Sequence, residues 1–135
     1  MTREDPHQRS HIMRQVKSQD TKPEMQIRKW LHAAGYRYRL HRDDLPGKPD
    51  IVFAKNKKVI FVNGCFWHGH PCKRGARLPK NNEAYWRAKI DRNAARDARN
   101  TALLRSKGWR VYIIWECELK NKEKLWQDLT TFLDG

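Results

Sequence analysis

The stretch VIFVNGCFWHGHPC, residues 59–72, divides into two parts of opposite character. Val59-Ile60-Phe61-Val62 is β-branched or aromatic throughout, the composition of a strand in the middle of a sheet. The nine residues from Gly64 to Cys72 then hold two cysteines, two histidines and two aromatics, which no ordinary core strand carries. A central strand therefore ends near residue 63. The loop that follows is a metal-stapled segment, a reactive centre or a contact surface.

Upstream, Ile51-Val52-Phe53 is a second β-rich run, and Lys55–Lys58 between the two reads as a hairpin turn. HRDDLPGKPD, residues 41–50, is a loop built on the turn dipeptide Pro46-Gly47. Tyr36–Leu40 alternates apolar and basic residues, which predicts a half-buried strand. Before it, Thr21-Lys22-Pro23-Glu24 has the form of a capping box with proline in the first turn. Ile27, Trp30, Leu31 and Ala34 follow at helical spacing, and Gly35 closes that helix.

Downstream, residues 82–106 predict one long helix with Trp86, Ile90, Ala94 and Leu104 along a face, stopped by Ser106-Lys107-Gly108. Trp109–Trp115 is apolar on nearly both faces, which predicts a central strand. Leu125, Leu129 and Phe132 mark a final amphipathic helix. The order α-β-β-β-α-β-α predicts a single α/β domain over residues 21–135, with a mixed central sheet flanked by helices. Residues 1–20 are polar and charged and predict an arm that contacts the partner, with a short helix around 10–17.

The 135 residues suffice for one continuous core. No run of about 18 apolar residues is present, and the N-terminus lacks the apolar centre of a secretory signal, so cytoplasmic residence is expected and a membrane partner is not. Lysine and arginine number 29 against 15 acidic residues, a net charge of +14. The basic residues are spread along the chain, which suits a folded basic face for a polyanion, nucleic acid above all. Charge kept only for solubility is the plainer alternative.

Cys65, Cys72 and Cys117 are the three cysteines, an odd number that closes no disulfide framework. Cys65-x4-His70-x-Cys72 offers three ligands within eight residues, and Cys117 lies just past the strand 109–115. Three thiolates and an imidazole suit tetrahedral zinc. Burial of Cys65 and Cys117 as small apolar residues is the alternative, and spacing alone allows His68 in place of His70.

Asp50 stands after a turn at the start of a strand, where a carboxylate can project to bind magnesium or merely cap backbone groups. Asp97 lies near the apolar stripe of the long helix and needs a partner, one of the arginines or His68. A His68–Asp97 pair beside an Asp50-bound cation is an apparatus for phosphodiester hydrolysis. Phe66 and Trp67 in the basic loop, with Trp86 near the next helix start, are either core or a wedge that unstacks base pairs.

PGKPDIVF, VIFVNGCFWHGHPC, YWRAKIDRNAARD and GWRVYIIWEC together resemble the very short patch repair (Vsr) DNA mismatch endonucleases, over roughly residues 8–133. The resemblance implies a restriction-endonuclease-like fold that nicks one strand of duplex DNA 5′ to the T of T:G mismatches left by 5-methylcytosine deamination. It implies Asp50 as the magnesium carboxylate and the Val62 carbonyl as a second ligand. His68 would be the base that activates water, with Asp97 its partner and Glu24 at the edge of the site, acting through waters on the metal. Cys65, His70, Cys72 and Cys117 would hold a structural zinc, and Phe66, Trp67 and Trp86 would intercalate. The arm would cross the minor groove, and mismatch-repair proteins are conceivable partners.

Two departures stand out. Asn63 replaces a second active-site histidine of the best-known members; it can donate to a phosphate but cannot shuttle a proton. Phe61-Val62-Asn63 stands where restriction-type nucleases carry Glu-x-Lys. Competing expectations are a less selective nuclease and a zinc-stabilised DNA-binding module without catalysis.

Overall fold

The computed structural model describes residues 21–70, 72 and 80–135, so the predicted arm and its short helix around 10–17 lie outside the described residues. Among the described residues the order is helix α1 (Lys22–Ala33), strands β1 (Arg39–Leu40), β2 (Ile51–Phe53) and β3 (Lys58–Asn63), helix α2 (Glu83–Ser106), strand β4 (Arg110–Trp115) and helix α3 (Lys122–Asp134). This is the predicted order. Thr21 caps α1, its Oγ1 accepting from the Glu24 N–H at 3.3 Å, an arrangement that stabilises a helix by about 1 kcal/mol. Gly35 leaves α1 at φ +92° and Gly108 leaves α2 at φ +88°, the left-handed exits that glycine allows.

The strands form one mixed sheet in the order β1-β2-β3-β4. β1, β2 and β3 are antiparallel neighbours, whereas β3 and β4 run parallel. Alternation of side chains sorts the core into two layers. Ile51, Phe53, Ile60 and Ile114 pack with Ile27 and Leu31 of α1 and Leu125, Leu129 and Leu133 of α3. On the other face Val52 and Val59 pack with Leu45 and with Leu104 of α2. A parallel pair needs a long crossover, and α2 is that crossover, lying on the face opposite α1 and α3. No helix among the described residues is long and apolar enough to cross a membrane.

Two sequence expectations need correction. β4 is an edge strand of the sheet among the described residues, not a central one. It is apolar on both faces because helices cover both faces, and that pattern says nothing about how many strands flank it. Of Tyr36–Leu40, only Arg39 and Leu40 pair with β2, and both are exposed. Tyr36 and Tyr38 instead set their rings edge-on against Phe53, with centroids 6.2 and 6.1 Å away.

The sequence also concealed Lys58. Grouped with the hairpin turn by composition, it is buried, and its Nζ donates to the carbonyls of Phe132, Leu133 and Gly135 at 2.8, 2.8 and 3.2 Å. These carbonyls at the end of α3 have no partners within the helix, and the helix dipole favours a cation there.

Candidate active site and metal centre

The parallel register sets Asn63 opposite Trp115. Two residues further along each strand come Cys65 and Cys117, so the pairing itself delivers both thiols to one place. The Cys117 N–H donates to Cys65 Sγ at 3.3 Å, and His70 Nδ1 lies 3.6 Å from Cys117 Sγ. Ligand atoms of Cys65, His70, Cys72 and Cys117 all lie within 4.8 Å of one another. Tetrahedral zinc with sulfur ligands has ligand–ligand edges of about 3.8 Å, so the four residues fit such an ion with small closure. Burial foremost pushes the Cys65 thiol up to about 12 and raises Cys117 as well, with the neighbouring Cys72 adding to both rises. His70 is further fixed by stacking on Trp115, with ring centroids 4.3 Å apart and planes 21° from parallel.

The loop reaches this geometry by a tight turn. The N–H groups of His68, Gly69 and His70 donate to the carbonyls of Gly64, Phe66 and Cys65. Gly69 has φ +68°, and a Cβ there would stand 2.9 Å from Ile90 Cγ2. Glycine thus lets the loop lie directly on α2, and that contact turns His68 away from the cysteines. His68 Nδ1 lies 2.5 Å from Asp97 Oδ2. An ionised carboxylate only accepts, so in the neutral ring Nδ1 carries the proton and Nε2 keeps its lone pair. Both side chains remain partly open, 27% and 29% exposed.

The inward face of α2 differs from the predicted apolar stripe. Ala94 is exposed, and the face runs Ile90, Asn93, Asp97, Thr101, Leu104, apolar at its ends and polar between. The polar middle lines a cavity of about 970 Å³ whose wall includes Asp50, Val62, Asn63, His68 and Asp97, with Lys48, Lys89 and Arg96 supplying positive charge. Asn93 was not singled out by sequence; its Nδ2 donates to the Trp67 carbonyl at 3.0 Å and ties the loop to α2. Opposite, Gly47 at φ +77° completes the Pro46-Gly47 turn, with the Lys48 N–H donating to the Leu45 carbonyl. A Cβ on Gly47 would stand 3.1 Å from Asn100 Cβ and 3.2 Å from the Phe61 ring.

Asp50 is 8% exposed, and its Oδ2 accepts from the Val62 N–H at 2.7 Å. Burial foremost raises this carboxyl to about 7; the Val62 N–H opposes the rise and the Glu24 carboxylate adds to it. A buried carboxyl next to a second carboxylate is a fitting place for a hard cation. The sign of the shift makes a prediction. Because folding favours the protonated acid, the stability tied to it is complete below the ordinary value of 3.8 and is lost as pH rises through about 7. With divalent cations other than zinc withheld, Asp50→Asn should exceed the parent protein by only about 1 kcal/mol near pH 4.5 and by roughly 4 kcal/mol at pH 8.5. Urea unfolding at the two pH values checks this; equal stability at pH 8.5 would count against the shift.

Glu24 is only 1% exposed. Its Oε2 accepts from Arg28 at 3.2 Å and lies 2.8 Å from His41 Nε2. His41 carries no spacing signal in the sequence, and its position follows from the β1–β2 pairing just before it. Phe66, Trp67 and Trp86 form a partly exposed cluster, with centroids 5.1 Å (Phe66–Trp67), 5.9 Å (Phe66–Trp86) and 5.7 Å (Trp67–Trp86) apart. Lys89 Nζ lies over both tryptophans, 5.5 and 5.7 Å from their centres.

Comparison with known proteins first gives the class: the relatives are DNA endonucleases and nicking enzymes. The chain is 51% identical over 129 residues to the type II nicking enzyme V.XorIIP of Xanthomonas oryzae pv. oryzae, covering 96% of this chain and 94% of that one. It is 47% identical over 114 residues to V.NmeAIP of Neisseria meningitidis, covering 84% and 81%. The DNA mismatch endonuclease Vsr of Escherichia coli is 39% identical over 127 residues, covering 94% and 81%. The family model for DNA mismatch endonuclease Vsr matches residues 1–74. The chain belongs to the Vsr family of DNA mismatch endonucleases.

Proposed function

We propose that this chain is a magnesium-dependent endonuclease that nicks one strand of duplex DNA 5′ to the T of a T:G mismatch arising from 5-methylcytosine deamination. The observation that carries the reading is the His68–Asp97 hydrogen bond on the wall of the cavity that Asp50 also lines. Family membership supports the mismatch substrate, and the names of the nicking relatives support cleavage of one strand. The sheet with helices on both faces agrees with a restriction-endonuclease-like fold for residues 21–135. Residues 1–20 are assigned to DNA contact on their charge and polarity.

In this reading Asp97 holds the His68 ring so that Nε2 faces the cavity and accepts the proton of the attacking water. Asp50 and the Val62 carbonyl would hold the magnesium, with Glu24 at the edge of the site. When bound, the ion supplies positive charge to the scissile phosphate and to the departing oxygen. Asn63 donates a hydrogen bond to the phosphate, and Lys48, Lys89 and Arg96 draw the backbone into the cavity. Cys65, His70, Cys72 and Cys117 hold a structural zinc that keeps the loop, and with it His68, in register. Phe66, Trp67 and Trp86 enter the base stack at the mismatch, a deformation costing roughly a few kcal/mol that a mispaired step lowers.

The test is to map nicks on a panel of duplexes that differ only in one base pair, with magnesium present. A single nick 5′ to the mismatched T, on that strand only, is the expected outcome; equal cutting of T:A and T:G duplexes would overturn the specificity. For the wedge, Phe66→Ala with Trp67→Ala should lower the preference for T:G over T:A binding by tenfold or more, about 1.4 kcal/mol, while total DNA affinity changes less. Equal loss on both duplexes would assign the rings a purely structural role.

A further inference from the structure

We propose that His41 is a further protein ligand of the cation held at Asp50 and that Glu24 binds this cation directly and not only through waters, so that the site combines one nitrogen donor with two carboxylates and favours manganese(II) over magnesium. This rests on the reading of Asp50 as a cation-binding carboxylate and goes beyond it in naming the donor set and the metal it selects.

One ligand atom from each of Glu24, His41 and Asp50 lies within 4.8 Å of the other two. Adjacent and opposite ligands of a small octahedral cation are about 2.9 and 4.2 Å apart, so the three donors can close on one ion with little movement. A plain ion pair would need only His41 and Glu24, 2.8 Å apart. Convergence of Asp50 on the same point is what makes the group a ligand set.

The convergence is built into the backbone. The His41 N–H donates to the Asp50 carbonyl at 3.1 Å, extending the β1–β2 ladder one step past the pair Leu40–Ile51. Its φ of +49° is an uncommon conformation for a residue with a side chain. Glu24 is fixed from the opposite side by its place in the capped first turn of α1. The His41 and Glu24 side chains are 16% and 1% exposed, so the ring and the carboxylate face each other and not bulk water. Arg28 offsets part of the negative charge through Glu24.

The donor set then decides the metal. Carboxylates serve magnesium and manganese alike, whereas an imidazole nitrogen adds affinity for a transition metal and little for magnesium. Neutral His41, with its Nε2 lone pair free of a proton, is the ligating form.

The test uses the full-length, zinc-loaded protein without DNA and manganese(II) as the probe. Loss of the free-ion electron paramagnetic resonance signal reports affinity, magnesium is measured by competition, and pulsed spectra report nitrogen bound to the ion. In the parent protein manganese should bind at least tenfold more tightly than magnesium and show strong coupling to an imidazole nitrogen. His41→Gln and His41→Asn keep an amide that can bond Glu24, and asparagine tolerates the left-handed backbone. Both should lose the coupling and at least tenfold in manganese affinity, with magnesium affinity changed less than threefold. No nitrogen coupling in the parent protein, or coupling that persists in both variants, would overturn the proposal. Asp50→Asn separates the two levels: unchanged manganese binding in that variant would sink the assignment of Asp50 itself.

Discussion

Asp50→Ala should bind a T:G duplex as tightly as the parent protein and nick it at least a thousandfold more slowly, a loss of about 4 kcal/mol in barrier lowering. Binding survives because the field that attracts DNA comes from 29 basic residues, and removing one carboxylate takes the net charge from +14 to +15. Chemistry does not survive, because in the proposed reading Asp50 is the carboxylate on the cavity wall that holds the cation. Asp50→Asn should lose as much activity while keeping the side chain's size and an acceptor for that N–H, which separates charge from shape. Single-turnover nicking and equilibrium binding at one salt concentration make the measurement. Activity within tenfold of the parent in Asp50→Ala would exclude Asp50 from the reaction.

Cys117→Ser should lose bound zinc and the folded state together. Structural zinc contributes on the order of 10 kcal/mol in small domains, comparable to the whole stability of a typical domain. The main-chain bond from the Cys117 N–H to Cys65 Sγ survives the substitution, so the loss traces to the missing thiolate. His68→Ala should behave in the opposite way. Its ring lies on Asp97 and outside the ligand cluster, so zinc stays at one ion per chain, while nicking falls by roughly 10²–10⁴-fold, as for loss of a general base. Zinc content by mass spectrometry beside a nicking assay distinguishes the two. Zinc loss in His68→Ala would reverse the roles given to His68 and His70.

These contrasts show what a linear sequence carries. The order of elements was legible because turn and cap signals are local: Thr21 begins a helix, Gly35 and Gly108 end helices, and Pro46-Gly47 turns the chain. The convergence of Cys65 and Cys117 was legible because two strand ends of similar length can lie together. The edge position of β4 was not, since an apolar strand records the helices above and below it and not its neighbours. His41 and Lys58 escaped for a related reason. Each looks like a solvated loop residue until a partner distant in sequence, Glu24 for one and the end of α3 for the other, surrounds it. Asn93 was obscured by the assumption that an inward helix face is apolar, when here its middle borders a cavity; Asp97 stood out because a carboxylate near such a stripe needs a partner.

The 52-residue separation of Cys65 and Cys117 bears on how the protein reaches its folded form. Pairing β3 with β4 closes a long loop before any contact rewards it, which makes this the slow kind of step in assembling a sheet. The full set of thiols comes together only once that step is finished and in the correct register, since the pairing of Asn63 with Trp115 is what sets Cys65 beside Cys117. The cluster of Cys65, His70, Cys72 and Cys117 is therefore complete only on a correctly assembled sheet. A newly made chain would thus bring the loop that carries Phe66, Trp67 and His68 to its final position only after β3 and β4 have paired.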